Sequence, residues 1–131
     1  MQLFEYLLQM KAPRFHCFAE FYPFYLSEHR HPRCRLLHYV GSSLVLMTLT
    51  FIVLTASWSW LWLLLVLGYG FAWIGHFFIE HNRPATFQYP FYSLLGDWVM
   101  FKDFLTGQLD AKMAQITSEM AVTRTRQDAD L

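Results

Sequence analysis

The chain has 131 residues, 55% of them hydrophobic, 19% aromatic and only 15% charged, with no net charge and a mean hydropathy of +0.24. A soluble domain carries about a quarter charged residues, so an ordinary water-soluble fold is disfavoured. With no basic block there is no footing for a nucleic-acid partner.

Met1–Met10 reads as a short apolar surface helix, broken by Lys11-Ala12-Pro13. It contains Glu5 and lacks a basic leading region, so no cleavable signal peptide is expected and the first span itself must direct insertion. Arg14–Arg30 interleaves Phe15, Phe18, Phe21, Tyr22, Phe24 and Tyr25 with Glu20, Glu28 and His29. That mixture is too polar to span and too aromatic for a solvated loop. It suggests an interfacial amphipathic helix interrupted near Pro23, its aromatic stripe a membrane belt. Cys17 and Cys34 have no paired-motif spacing and are expected as free thiols.

Leu36–Thr55 is twenty residues without a formal charge, long enough to cross a bilayer, with Gly41-Ser42-Ser43 offering a flat packing patch. Ala56–Ser59 is a short turn flanked by interfacial Trp58, Trp60 and Trp62, and Trp60–Ile79 forms a second span. So short a turn permits only an antiparallel hairpin. Lys11, Arg14, Arg30, Arg33 and Arg35 precede the first span, Arg83 and Lys102 follow the second, and none lies in the turn. Both termini are therefore expected in the cytoplasm, with the chain integral to the membrane. Phe87–Leu105 carries Asp97, Lys102 and Asp103 and reads as a further interfacial or re-entrant helix with Gly107 as its C-cap. Ala111–Leu131 is polar, helical to about Val122 and frayed beyond. The expected fold is all-α: a membrane-embedded domain over residues 1–110, built on a two-span hairpin with interfacial helices, then a polar helix and tail over residues 111–131. Two spans per chain leave room for a homo-oligomer.

The chemistry concentrates at Gly68–Thr86. His76 and Glu80 stand one α-helical turn apart at the end of the second span, before the break at Asn82-Arg83-Pro84. Ionisable groups there are costly unless they serve a function. The hairpin turn centres on Ser57, with His38 nineteen residues before it and His76 nineteen after. At 1.5 Å per residue each lies about 28 Å from the turn, so the two reach one depth on neighbouring helices. His29 and Glu28 enter from the preceding segment. Three histidines and a carboxylate at one interface suit a divalent transition metal and are the pattern of non-haem iron oxygenases; zinc and manganese accept a similar set. His38 as a hydrogen-bonding residue across the hairpin, His38 and His76 as haem ligands, and a non-catalytic scaffold with structural histidines are the competing readings. His16, His31 and His81 read as interfacial or solvated. Asn82 and Arg83 form a candidate site for a carboxylate or phosphate headgroup.

Tyr25-x-x-Glu28-His29, His38-x-x-Gly41 and Gly75-His76-x-x-x-Glu80-x-x-x-Pro84-Ala85, with the apolar hairpin between them, resemble the small membrane proteins related to the fungal 2-hydroxy fatty acid dioxygenase. The likeness covers roughly residues 20–106 and is nearest to the bacterial branch; Cys34 departs from the fungal one. It implies Fe²⁺-dependent shortening of a 2-hydroxy fatty acid by one carbon with O₂. It also implies His29, His38 and His76 as metal ligands, with Glu80 as a fourth ligand or a partner of one. Tyr25, which opens the first motif, joins Asn82 and Arg83 on the substrate side.

Overall fold

A computed structural model describes residues 15–131. The readings made for Met1–Met10 and the Lys11–Pro13 break lie outside the described residues. The described chain is helical, with no strand among those residues: α1 (Phe18–Ser27), α2 (Pro32–Thr55), α3 (Leu61–Ile74), α4 (Pro90–Leu105) and α5 (Leu109–Ala129). A 3₁₀ turn at Trp58–Trp60 leads into α3, and a π-helical turn at Gly75–Glu80 prolongs it.

α1 runs through Pro23 without interruption. Proline removes one amide donor from a helix. Here that loss is outweighed by the face it lies beside, where Phe21, Tyr22, Tyr25 and Leu26 are all buried. The aromatic stripe is therefore protein core and not a membrane belt. It joins Tyr39, Met100 and Leu109, with Tyr89 and Tyr92 packed alongside. Phe21 meets the rings of Tyr89 and Tyr92 at 5.5 and 5.4 Å, within the range of favourable aromatic pairs.

α2 begins on His31, whose Nδ1 accepts from the Arg33 amide at 3.1 Å, with Pro32 in the first turn where a missing amide costs nothing. It ends at Ala56 in the left-handed conformation (φ 54°). The main packing partner of α2 is α3. A Cβ on Gly41 would lie 3.0 Å from the Leu67 carbonyl, and one on Gly75 would lie 2.8 Å from Cys34 Sγ, so small residues set the approach of the two segments. The stretches Pro32–Thr55 and Trp58–Glu80 are each long and apolar enough to cross a membrane. Their outer faces leave large apolar side chains in the open, such as Met47 and Leu54 on α2 and Leu65 and Phe78 after the turn.

α4 closes as expected at Gly107 (φ 74°): the Gln108 amide bonds the Asp103 carbonyl and the Gly107 amide bonds that of Phe104, a Schellman ending. α5 stays helical to Ala129, past the fraying expected at Val122. Its first turns are tied to α4 and α1 through buried Asp103, which takes Lys112 Nζ at 2.7 Å, Tyr22 Oη at 2.6 Å and Lys102 Nζ at 2.9 Å. Burial alone would raise the Asp103 pKa, but these three donors outweigh it and hold the carboxyl below its usual range.

Candidate metal centre

His29 follows the end of α1, His38 lies in the second turn of α2, and His76 lies in the π-helical turn. All three are buried, at 1%, 5% and 3% exposure. Their ring centroids are 4.5 Å (His29–His38), 4.4 Å (His29–His76) and 5.1 Å (His38–His76) apart, each pair nearly perpendicular. One nitrogen from each lies within 4.8 Å of the others, so the trio could hold a metal ion.

Hydrogen bonding settles which nitrogen each ring turns inward. His29 Nδ1 meets the Tyr25 carbonyl at 2.6 Å, and His38 Nδ1 meets the Cys34 carbonyl at 2.8 Å. A carbonyl only accepts, so both Nδ1 atoms carry the proton. His76 Nδ1 lies 2.7 Å from Asn82 Oδ1. The Asn82 amide cannot be turned round, because its Nδ2 donates to the Glu28 carbonyl at 2.9 Å and to Glu28 Oε2 at 2.8 Å. His76 therefore also donates from Nδ1. All three rings present a bare Nε2, and those of His29 and His38 stand 3.1 Å apart. Two ligands about 2.1 Å from a common ion and at right angles are separated by about 3 Å. Burial, with His38 and His76 as neighbours, pushes the His29 pKa well below the ordinary histidine value, so this ring is neutral.

The backbone explains how Asn82 reaches His76. The π-helical turn, a rare wind often found at functional sites, is followed by His81 in the left-handed region (φ 54°), and the Asn82 amide bonds the His76 carbonyl at 3.0 Å. The chain folds back and brings the Asn82 side chain to the Nδ1 edge of the His76 ring. The same wind upsets the one-turn pairing of His76 with Glu80. Glu80 is not among the three converging residues; its carboxylate accepts from the His31 amide at 2.5 Å.

Another carboxylate stands nearer, one to which the sequence reading gave no role. Asp97 Oδ1 lies 4.0 Å from His38 Nε2 and accepts the Tyr25 hydroxyl. Tyr25 also stacks on His29 at 4.1 Å. Gly96 makes room for this contact, since a Cβ there would lie 2.9 Å from the Tyr25 ring. Burial raises the Asp97 pKa to about 7, with the Tyr25 hydrogen bond acting the other way. An acid beside a glycine in an otherwise apolar run was the available signal. Tyr25, the three histidines, Ser93 and Asp97 line a cavity of about 10 Å³, with Pro84–Thr86 along one wall. That is room for one ion or one water. Arg83 is outside this lining, exposed, with its guanidinium over the Phe87 ring at 5.3 Å. Asn82 touches His76, and Glu28 touches Asn82. The pKa of Glu28 is raised by burial, against the opposing effects of Asn82 and Arg30.

A family model described as 2-hydroxy-palmitic acid dioxygenase Mpo1-like matches residues 15–109. The chain belongs to this family. The match takes in α1 to α4 and all three histidines, and stops as α5 begins. No curated protein and no solved structure matches the chain.

Proposed function

We propose that the protein is a membrane-embedded non-haem iron dioxygenase that shortens 2-hydroxy fatty acids by one carbon. The observation that carries the proposal is the convergence of three buried, neutral-tautomer Nε2 atoms in an ion-sized cavity, in a chain of this family. His29, His38 and His76 hold the metal, and three histidines leave coordination positions open. Bound there, iron supplies the one-electron chemistry that lets dioxygen react with a closed-shell organic acid.

The protein's own residues orient and shield. The Tyr25 and Cys34 carbonyls and the Asn82 amide fix the ring tautomers, and such partners raise ligand basicity. The overall reaction, R–CH(OH)–COOH + O₂ → R–COOH + CO₂ + H₂O, breaks the C1–C2 bond. It passes four electrons from the substrate to oxygen and needs no other reductant. The location suits an amphiphile. Pro32–Thr55 and Trp58–Glu80 cross the bilayer as an antiparallel pair, and the histidines lie at the end remote from the Ala56–Ser57 turn. The acid group then meets the metal at the interface while the tail stays in lipid. The basic residues flanking the spans support a cytoplasmic side for that end and for both termini, and the likeness to the bacterial branch supports a bacterial inner membrane.

The test is elemental analysis of protein purified anaerobically in detergent, beside His76→Ala. Oxygen uptake and pentadecanoate formation from 2-hydroxyhexadecanoate are followed in both. About one iron per chain, lost with activity in the variant while the protein stays membrane-inserted, is the expected result. Failure to take up iron even after Fe²⁺ addition would refute it and leave a scaffold with structural histidines.

A further inference from the structure

The cavity has a wall the histidines do not supply. Ser93 and Asp97, one turn apart on α4, both line it. Ser93 is 3% exposed, and among the described residues its hydroxyl has no hydrogen-bond partner. A helical serine or threonine commonly satisfies itself on the carbonyl four residues earlier, as Thr50, Thr55 and Thr106 do here. Ser93 does not. A buried hydroxyl without a partner costs stability, and this one belongs to a residue that lines the polar cavity of the three histidines.

Asp97 is half-used. Its Oδ1 takes the Tyr25 hydroxyl, while among the described residues Oδ2 takes no hydrogen bond. Its side chain is 27% exposed, beside histidines exposed by 5% or less. Asp97 thus stands, with part-exposed Tyr69, Ala85 and Thr86, where the site meets the outside. Exposed Leu94 lies one turn before it on α4, a surface suited to an alkyl chain. The cavity is filled by one ion, so a substrate headgroup must meet the site at this rim.

We infer that Ser93 and Asp97 read the two oxygen functions of a 2-hydroxy carboxylate, Asp97 accepting from the 2-hydroxyl and Ser93 donating to the carboxylate. The inference rests on the reading of the site as a 2-hydroxy acid dioxygenase. Hydrogen-bonding capacity assigns the roles: among the described residues Asp97 Oδ2 is an unused acceptor and the Ser93 hydroxyl an unused donor. A carboxylate side chain repels a substrate carboxylate but accepts from an alcohol, and a serine hydroxyl can donate to the anion. Asp97 is then a specificity-determining residue. A site built to hydrogen-bond a substrate hydroxyl rejects the analogue without it far more strongly than an apolar pocket rejects a missing methylene. The competing role for Asp97 is purely structural, as the acceptor that holds Tyr25.

The test is equilibrium binding by calorimetry, anaerobically, on the full chain loaded with Fe²⁺ in detergent. 2-Hydroxyhexadecanoate is compared with hexadecanoate, so that micelle partitioning falls on both acids, and metal content is measured for every protein. Wild type should prefer the hydroxy acid on the order of 10²-fold or more. Asp97→Leu should cut that preference below about tenfold, and Tyr25→Phe should keep it, since Asp97 remains. Ser93→Ala should weaken both acids alike and leave the ratio unchanged. If Asp97→Leu keeps its metal and the wild-type ratio, or if Tyr25→Phe loses the ratio as fully as Asp97→Leu, the inference is overturned and the metal site stands. If Asp97→Leu does not fold, Ser93→Ala with wild-type affinity for both acids overturns it, as does loss of the ratio in Tyr25→Phe. Wild type that takes up no Fe²⁺ sinks the functional reading and this inference with it.

Discussion

Asn82 offers a direct test of how the site is held. It accepts from His76 Nδ1 at 2.7 Å and donates twice to Glu28, at 2.9 and 2.8 Å. Asn82→Ala removes all three bonds. At about 0.5–1.5 kcal/mol each, the loss is roughly 2–4 kcal/mol of stability. The His76 ring is also freed to rotate or change tautomer, and removing such a partner lowers metal affinity by about 10–100-fold. Asn82→Asp separates the two effects. Its carboxylate still accepts from His76 Nδ1–H, but the donations to Glu28 vanish and two acids face each other. Metal titration and thermal melting of the apoproteins measure both quantities. The aspartate variant should melt early yet bind metal within about threefold of wild type, while alanine loses on both counts. Alanine with wild-type metal affinity would show that His76 is not oriented through Nδ1. Equal loss of metal affinity in the two variants would show that the Glu28 link is what matters.

Gly96→Ala should place a Cβ 2.9 Å from the Tyr25 ring, costing about 1–3 kcal/mol by overpacking and weakening metal binding as Tyr25 leaves His29; a melt and a metal titration report both. Gly107→Ala meets open space but must hold φ 74°, so it should cost about 1 kcal/mol with metal affinity unchanged. Asp103 has a folded-state pKa below its unfolded value, so its contribution is present above about pH 4 and is lost as pH falls through the folded pKa. Wild type should lose stability over that acid range. The deficit of Asp103→Asn at neutral pH should shrink on acidification, and a parallel pH dependence in both proteins would refute the assignment.

The sequence carried more of the site than of its surroundings. Equal spacing of His38 and His76 about Ser57 places them together, because helix rise is regular and both segments are uninterrupted as far as Ile74. His29 follows from its nearness to α2. Hidden from that reasoning was anything that depends on local winding. The π-helical turn at Gly75–Glu80 has no compositional signature here, and it separates Glu80 from the face of His76 that an α-helix would have given it. The aromatic stripe of α1 was ambiguous in kind, since a membrane belt and a protein core use the same rings. Only the partners, Tyr89, Tyr92 and Met100 at the start of and along a helix some seventy residues away, decide for the core. Asp97 was obscured for the same reason: its meaning comes from Tyr25 and His38, at 72 and 59 positions' distance.

The tautomers bear on the folding of the site as well as its chemistry. Three bare Nε2 atoms face one another, with two of them 3.1 Å apart, and among the described residues none of them meets a protein donor. A proton placed between His29 and His38 does not resolve this. It must make one ring a buried cation, or reverse a tautomer and set a lone pair against the Tyr25 or Cys34 carbonyl. Only a cation meets all three nitrogens at once. One water, the most the cavity holds, can donate to only two of the three, so the metal-free cluster leaves a buried acceptor unmet, at about 1–3 kcal/mol, and metal binding relieves that cost as it adds its own bonds. Metal should then stabilise the fold by mass action, raising the melting temperature with each increment of free metal. The effect should fade at acid pH, where ligand histidines take up protons instead. Replacing His76 by leucine removes one of the facing acceptors but also the donor to Asn82 Oδ1, so it should leave an apoprotein within about 1–3 kcal/mol of wild-type apoprotein, the cost of that lost bond, and indifferent to metal. A metal-free wild type that exceeds this variant by more than that would mean that the three rings satisfy one another, and that the cluster is structural.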